Sequence, residues 1–269
     1  MYTPTKVYSL ISVNNLYTVF SDEYEKGFAF LGEAHDFWEI NVISDGQAVI
    51  VSDNNVYNCK AGDLLIHAPN TFHSMRVDDG NYCRVFTVSF DGTGLSKRLA
   101  SGQYMMLDGE RKFVDVIISE FEKVGFDKTS LDNIGMQIIK NQLEILCLSL
   151  ISRGERARGL PSADARSRTY AKIVAYLRDN VDRNLTVDDI SRAVFESPTK
   201  IKDIFRSYTG GGVMQYFNRL RCEHIIYLLN DGKSVKDIAA IMEFSSPYYL
   251  SYFFKREMGM TIREYKNTL

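Results

Sequence analysis

Glu33, His35, Phe37, Glu39 and Asn41 fall on alternate residues, so along an extended segment their side chains share one face. Imidazole and carboxylate groups on one face have two chemical uses. They are ligand types for Fe, Mn or Zn, and a facial set of histidine and carboxylate is a known oxygenase arrangement. They are equally the hydrogen-bonding groups of a pocket that binds a small polar molecule against nearby aromatics. The third reading is a protein core whose few polar residues satisfy one another. No other catalytic pattern is present: there is no Gly-x-Ser-x-Gly, no phosphate-binding glycine loop and no dinucleotide fingerprint. The run Gly210-Gly-Gly212 lies between two helical patterns and reads as a helix end.

The elements that would hold this face are strands. From Val7 to about Phe90, short β-branched and aromatic runs (Trp38–Ile43, Ala48–Val51, Asp63–His67, Arg84–Phe90) sit between turn signals such as Asp45-Gly46, Ala61-Gly62-Asp63 and Pro69-Asn70. Regular spacing without intervening helices predicts a small all-β sandwich or barrel. Near residue 110 the apolar period changes to that of a helix. Phe113, Ile117 and Phe121 mark one helix, and Ile134, Ile138, Leu143, Leu146 and Leu150 mark a longer one with enough apolar face for a dimer contact. Residues 152–168 contain Gly154, Gly159, Pro161 and five arginines and read as a linker.

Beyond the linker one helix–turn–helix pattern occurs twice. Thr186-Val-Asp-Asp-Ile190 recurs as Ser234-Val-Lys-Asp-Ile238 at an offset of 48. Ser197-Pro198, Phe205 and Gly210 recur as Ser246-Pro247, Phe254 and Gly259 at an offset of 49. Each Ser-Pro places an N-cap before proline at the first helical position, and each glycine sits where a helix end needs a left-handed residue. A solenoid needs three or more copies to bury a continuous core. Two copies joined by a helix of about eighteen residues, roughly 27 Å, instead suit two recognition helices about one DNA turn apart.

Composition fits this division. The 269 residues allow about two domains, and 45% hydrophobic with 25% charged residues is a globular balance. Residues 168–269 carry 16 Lys+Arg and 12 Asp+Glu, a net +4, and residues 1–167 carry 16 and 22, a net −6. The basic half is the one suited to a polyanion. Cys59, Cys83, Cys147 and Cys222 form no Cys-x-x-Cys pair, which speaks against a zinc or disulfide framework and for a reducing cytoplasm. No basic-then-apolar leader and no apolar run long enough to span a bilayer are expected.

Leu185 to Tyr265 resembles the DNA-binding domain of AraC/XylS-type bacterial transcription regulators. The matching words are Leu185-Thr-Val-Asp-Asp-Ile190, Tyr208-Thr-Gly210, Tyr216-Phe-Asn-Arg-Leu-Arg221, Ser234-Val-Lys-Asp-Ile-Ala239, Phe244-Ser-Ser-Pro247, Phe254-Lys-Arg-Glu-Met-Gly259 and the closing Arg263-Glu264-Tyr265. The resemblance implies that Pro198–Tyr208 and Pro247–Glu257 are recognition helices. In the first, Thr199, Lys202 and Asp203 face bases, while Lys200 and Arg206 are placed for phosphate. In the second, Tyr248, Ser251 and Tyr252 face outward, with Tyr249, Leu250, Phe253 and Phe254 inward. Tyr252 stands where the family usually has arginine, and Glu243 where it has glycine. Without that arginine the second helix lacks a bidentate guanine contact, so the first helix is expected to supply most base readout.

Residues 27–73 resemble a cupin barrel. Gly27, Glu33, His35, Glu39 and Gly46 fall at the spacing of the first cupin motif with glutamate for its first histidine, and Gly62-Asp63, Pro69 and His73 follow the second more loosely. The resemblance implies an effector pocket carrying His35, Phe37, Glu39 and His73. The expected fold class is α+β in two domains: a barrel over 1–107, a helical and dimerising segment over 108–152, a linker over 153–167 and an all-α DNA-binding domain over 168–269. The expected function is a cytoplasmic, dimeric, sequence-specific regulator. Its partners would be double-stranded DNA, a small polar effector such as a sugar, and RNA polymerase, with no membrane, cofactor, metal or catalytic residue. The alternatives are a cupin metalloenzyme fused to a DNA-binding domain and a regulator without effector.

Overall fold

The computed structural model describes residues 3–96, 98–154, 159–162 and 164–266. The chain forms two compact units, Met1–Ser162 and Ala163–Leu269. In the first, eight strands among the described residues are all paired antiparallel: β1 (Ser12–Tyr24), β2 (Ala29–Glu33), β3 (Trp38–Ser52), β4 (Asn55–Lys60), β5 (Asp63–His67), β6 (His73–Arg76), β7 (Cys83–Thr93) and β8 (Gly102–Met105). The long β3 organises them. Its first half pairs β7 and β5, and its second half pairs β4 and β6. The change falls at an irregularity between Ile43 and Asp45. Gly46 follows with φ +70°, and a Cβ there would stand 2.0 Å from the Tyr82 carbonyl oxygen, so only glycine lets β3 turn across β7.

Alternation along β3 sorts its side chains. Ile40 and Val42 join Leu64, Ile66, Phe86, Val88 and Phe90 in an apolar cluster, while Glu39 and Asn41 point to the opposite face. Two helices cover that cluster: α1 (Asp108–Glu122) through Val114, Ile117 and Phe121, and α2 (Asn133–Arg153) through Ile139, Leu143, Leu146 and Leu150. The barrel and the helices therefore share one core, and the division at residue 107 is a change of secondary structure inside a single unit.

The five apolar residues expected on one face of α2 separate. Leu143, Leu146 and Leu150 are buried, but Ile134 is exposed. It starts a second stripe, Ile134, Ile138, Asn141, Ile145 and Leu148, at spacings of 4, 3, 4 and 3. An apolar helix with two such stripes is also, contrary to expectation, long and apolar enough by composition to cross a membrane. One of its faces instead completes the barrel's core.

The expected linker is shorter in the structure. The Gly159 amide donates to the Gln103 carbonyl at 2.6 Å, and the Ser162 amide to that of Val56 at 2.6 Å, so this strand of chain lies along the barrel. Helix α3 (Ala165–Asp179) already includes Arg166 and Arg168, because Asp164 caps it by accepting from the Arg166 and Ser167 amides. Arg156 and Arg158 lie outside the described residues.

The second unit continues with α4 (Val187–Val194), α5 (Pro198–Thr209), α6 (Val213–Asn230), α7 (Val235–Ile241), α8 (Pro247–Met258) and α9 (Ile262–Lys266). Thr186 and Asp189 form a capping box, Ser197 and Ser246 cap α5 and α8, and Gly210 and Gly259 end them in the left-handed conformation. Each copy buries its own apolar seam. Tyr170, Ile173, Leu177, Ile190, Ile201 and Phe205 are buried in the first, and Ile225, Ile238, Leu250 and Phe254 in the second. Helix α6, 18 residues long, supplies the connector, about 27 Å at 1.5 Å per residue.

Candidate functional site

The inner face of the barrel encloses a cavity of about 250 Å³. Phe20, Tyr24, Phe28 and Phe30 make its apolar wall, and Glu33, Glu39, Asn41, His73 and Thr87 its polar end. Strand register brings the polar groups together. Glu33 pairs with His73 across β2 and β6, and Glu39 with His67 across β3 and β5. Gly32, at φ +93°, allows the close approach: a Cβ there would lie 2.5 Å from the His73 carbonyl oxygen and against the buried Phe72 ring.

The hydrogen bonds fix the tautomers. His35 Nδ1 faces the Phe37 carbonyl at 3.0 Å, and His73 Nδ1 faces the Thr71 carbonyl at 3.1 Å, so each Nδ1 carries a proton. Both Nε2 atoms then turn inward, buried and without a hydrogen-bond partner. They stand 3.4 Å and 3.2 Å from the two oxygens of Glu39, with Glu33 at 3.8 Å from His73. Burial alone would raise the Glu39 carboxyl, but His35 and His73 outweigh it and hold Glu39 well below the usual carboxylate range. Burial opposes charging of His35, yet Glu39 overrides it and raises that imidazole. His67 is the reverse: full burial, with His73 beside it, pushes it well below the ordinary histidine value, so it stays neutral. Its Nε2 lies 2.8 Å from the Asn41 carbonyl oxygen, and the Asn41 amide donates to Glu39 and to Thr87 at 3.0 Å.

This donor set fits a divalent metal. Ligand atoms of Glu33, His35, Glu39 and His73 all lie within 4.8 Å of one another. Donors about 2.1 Å from one ion stand roughly 3–4.2 Å apart, so a small inward movement closes the shell. Each histidine also has the outer-shell Nδ1–H···O=C bond that orients a metal-ligating imidazole.

Of the expected effector residues, Glu39 and His73 line the cavity and His35 adjoins it. Phe37 does not line it. Residues 34–37 leave the strand between β2 and β3, so Glu33 to Asn41 is not one extended segment and its alternation breaks. Phe37 instead stacks behind His35 at 3.9 Å and on Tyr17 at 4.1 Å. Sequence reasoning left out His67 and Thr87, and named Glu33 only as a member of the face and not among the effector residues. The first two come into place only through register, and Glu33 was legible as the residue replacing the first motif histidine.

In the second unit Thr199, Lys200, Lys202, Asp203 and Arg206 all project from α5 into solvent. Asp203 accepts from Arg166 at 2.9 Å, and Lys200 pairs with Glu196 at 2.8 Å. Spacing of 3, 1 and 3 residues sets Thr199, Lys202, Asp203 and Arg206 on one stripe, with Lys200 on its flank. On α8 the equivalents, 49 residues on, are Tyr248, Ser251, Tyr252 and Lys255. They line a concave surface with Arg263 and Lys266 of α9. Tyr248 and Tyr252 are exposed, while the Ser251 hydroxyl donates to the Pro247 carbonyl at 2.9 Å. Tyr249 is not inward as expected. It is 46% exposed and stacks beside Tyr252, because it occupies the flanking position that Lys200 holds in the first copy. Lys255, Arg263 and Lys266 were not anticipated, although the offset from Arg206 points to Lys255.

These two sites define a class: a DNA-binding protein whose other unit is a barrel with a ligand cavity. Residues 190–268 match the family described as a helix-turn-helix domain, and residues 16–106 match the AraC-like ligand binding domain. The chain belongs to the AraC type of DNA-binding transcription regulators, with an N-terminal cupin-like ligand-binding domain. Its relatives include the HTH-type transcriptional activator RhaR of Yersinia pestis bv. Antiqua (strain Angola), 24% identical over 88% of this chain and 84% of that protein. RhaR of Enterobacter sp. (strain 638) is 22% identical over 90% and 88%. Among solved structures, unsaturated fatty acid bound ToxT from Vibrio cholerae strain SCE256 is 18% identical with a TM-score of 0.40, covering 94% of this chain and 95% of that one.

Proposed function

We propose that this regulator is controlled by a small, uncharged, polyhydroxylated effector, a sugar being the expected class, bound in the barrel cavity. The observation that carries the reading is the cavity's lining: carboxylate, amide, imidazole and hydroxyl groups at one end, aromatic faces along the other, and no Lys or Arg. Carboxylates and amides accept from and donate to hydroxyls, and aromatic rings cover the C–H face of a sugar. Two carboxylates with no lysine or arginine among the described lining residues disfavour an anionic effector. A thermal-shift panel of neutral sugars and the corresponding uronic acids tests this. A neutral sugar is expected to raise the midpoint while its acid does not; a rise confined to the acids would overturn the reading.

The regulator is further read as cytoplasmic, not an enzyme and working with RNA polymerase; it is read as an activator because relatives are named transcriptional activators. It acts as a homodimer through the outer stripe of α2. That stripe is nearly palindromic about Asn141, which sets Ile134 opposite Leu148 and Ile138 opposite Ile145 in an antiparallel pair. Thr199, Lys202 and Asp203 of α5 supply most base readout. Lys200, Arg206, Lys255, Arg263 and Lys266 contact phosphates, and Tyr248, Ser251 and Tyr252 give α8 its shape and apolar contacts.

A second reading is favoured by the four convergent donors: Glu33, His35, Glu39 and His73 would hold a divalent metal, which would supply Lewis acidity at the cavity's polar end. Metal analysis of the purified chain separates the two. Stoichiometric Fe, Mn or Zn, lost in the His35→Ala and Glu39→Gln variants, supports the metal.

A further inference from the structure

The second helix–turn–helix copy contains a buried cation that the first lacks. Arg221 of α6 is only 4% exposed. One of its guanidinium nitrogens (Nη2) donates to the Met242 carbonyl at 2.6 Å. Its guanidinium carbon lies 4.3 Å from the centre of the Phe244 ring and 5.6 Å from that of Phe253. Its Nε is buried with no hydrogen-bond partner, and no ion pair includes it among the described residues. Burial accordingly pushes the guanidinium below its ordinary value, with the charges of Glu243 and Asp182 acting against that loss.

A buried charge without a carboxylate partner is an expensive way to fill space, and methionine of similar volume would usually serve stability as well. What the guanidinium adds is direction. Its plane stacks on rings while its edge donates a hydrogen bond, a combination lysine cannot make. The groups it touches lie on three successive parts of one motif. Met242 is the residue that ends α7, Phe244 sits in the turn after the left-handed Glu243, and Phe253 belongs to α8 itself. Apolar packing fixes how far apart helices lie but leaves sliding and rotation loosely determined; three directed contacts from one rigid plane fix both. In the first copy the offset of 48 places the buried Ile173 at this position and the half-buried Glu196 at that of Phe244. Glu196 is tied there to Lys200 instead.

We infer that Arg221 is a positioning residue for the second recognition helix, clamping the α7–α8 turn to α6 so that the outward face of α8 is presented to DNA at one fixed angle. The inference rests on the reading that α8 meets DNA. The experiment uses the full chain and a duplex selected from a random library by the parent protein, with binding measured base pair by base pair. Arg221→Met is expected to keep its helical signal and its discrimination in the segment read by α5. Discrimination in the neighbouring segment should flatten, with affinity falling on the order of tenfold. Ile173→Ala, a plain packing loss in the first copy, is expected to lower the unfolding midpoint and leave the second segment's discrimination intact. Parent-like discrimination in both segments, or equal loss in both, would overturn the assignment. Should the Met variant fail to fold, Arg221→Gln, which keeps a donor for the Met242 carbonyl, is judged by the same criterion. Tyr252→Ala separates the two layers. If it too leaves the second segment unchanged, α8 does not read DNA; if it flattens that segment while Arg221→Met does not, only the role of Arg221 falls.

Discussion

Phe195→Gly is expected to stabilise the C-terminal unit. Phe195 ends α4 with φ +59°, in the left-handed region, and its ring is 92% exposed. A side chain in that region costs about 1–2 kcal/mol through the clash of Cβ with the following carbonyl. Glycine escapes the clash but loses about 0.5–1 kcal/mol more chain entropy on folding. Removing an exposed ring forfeits almost no burial, so the net gain is roughly 0.5–1 kcal/mol. For a unit of about a hundred residues this is a rise of roughly 2–8 °C in its unfolding midpoint, measured by scanning calorimetry of the full chain. Phe195→Ala is the control, since alanine keeps the clash and is expected to gain nothing. Glu243→Gly relieves the same strain in the second copy, where φ is +54°, but also removes a charge that acts on Arg221, so its gain should be smaller. A lower midpoint for Phe195→Gly, or an equal rise for Phe195→Ala, would refute the backbone argument.

Three further outcomes follow from particular groups. Burial raises the thiols of Cys147 and Cys222 to about 12 and that of Cys83 to about 11, and Cys59 is buried as well. A thiol reagent at neutral pH should therefore label them only as fast as the chain unfolds, and rapid labelling of any one would contradict its burial. The Asp189 and Asp237 carboxyls are held below their ordinary values by Thr186 and Ser234 respectively. Their capping is complete above the unfolded carboxylate value of about 3.9 and is lost as pH falls through the lower folded values. Asp189→Asn should then be less stable than the parent at neutral pH and converge with it in acid; a gap that widens in acid would reverse the sign. Lys255→Ala should weaken binding about equally across sequences and reduce the salt slope by about 1, whereas a loss specific to one base pair would make Lys255 a base contact.

Much of the helical unit was legible because its signals are local. Ser197-Pro198, Ser246-Pro247, Gly210 and Gly259 mark helix ends by their own backbone chemistry, and the structure places helix ends there. The faces of α8 were harder: Tyr249 is aromatic enough to suggest burial, and only comparison with Lys200 shows it on the flank. The barrel's chemistry was legible in part. Alternation put Glu39 and Asn41 together correctly, since both lie in β3. It failed at Phe37 because a turn interrupts the strand, and it could not reach His67 or Thr87, which arrive from other strands through register. On α2, apolar residues on both faces gave a single period that concealed two stripes with different neighbours.

On the proposed reading, the two helix–turn–helix copies read neighbouring segments on one face of a single DNA duplex. Hydroxyl-radical footprinting of the parent chain on its selected duplex tests it most directly. Two protected patches on the same face, about one helical turn or 10 base pairs apart, are the result expected from α5 and α8 joined by the 18-residue α6. A single patch, unchanged when the outward residues of α8 are replaced, would contradict it.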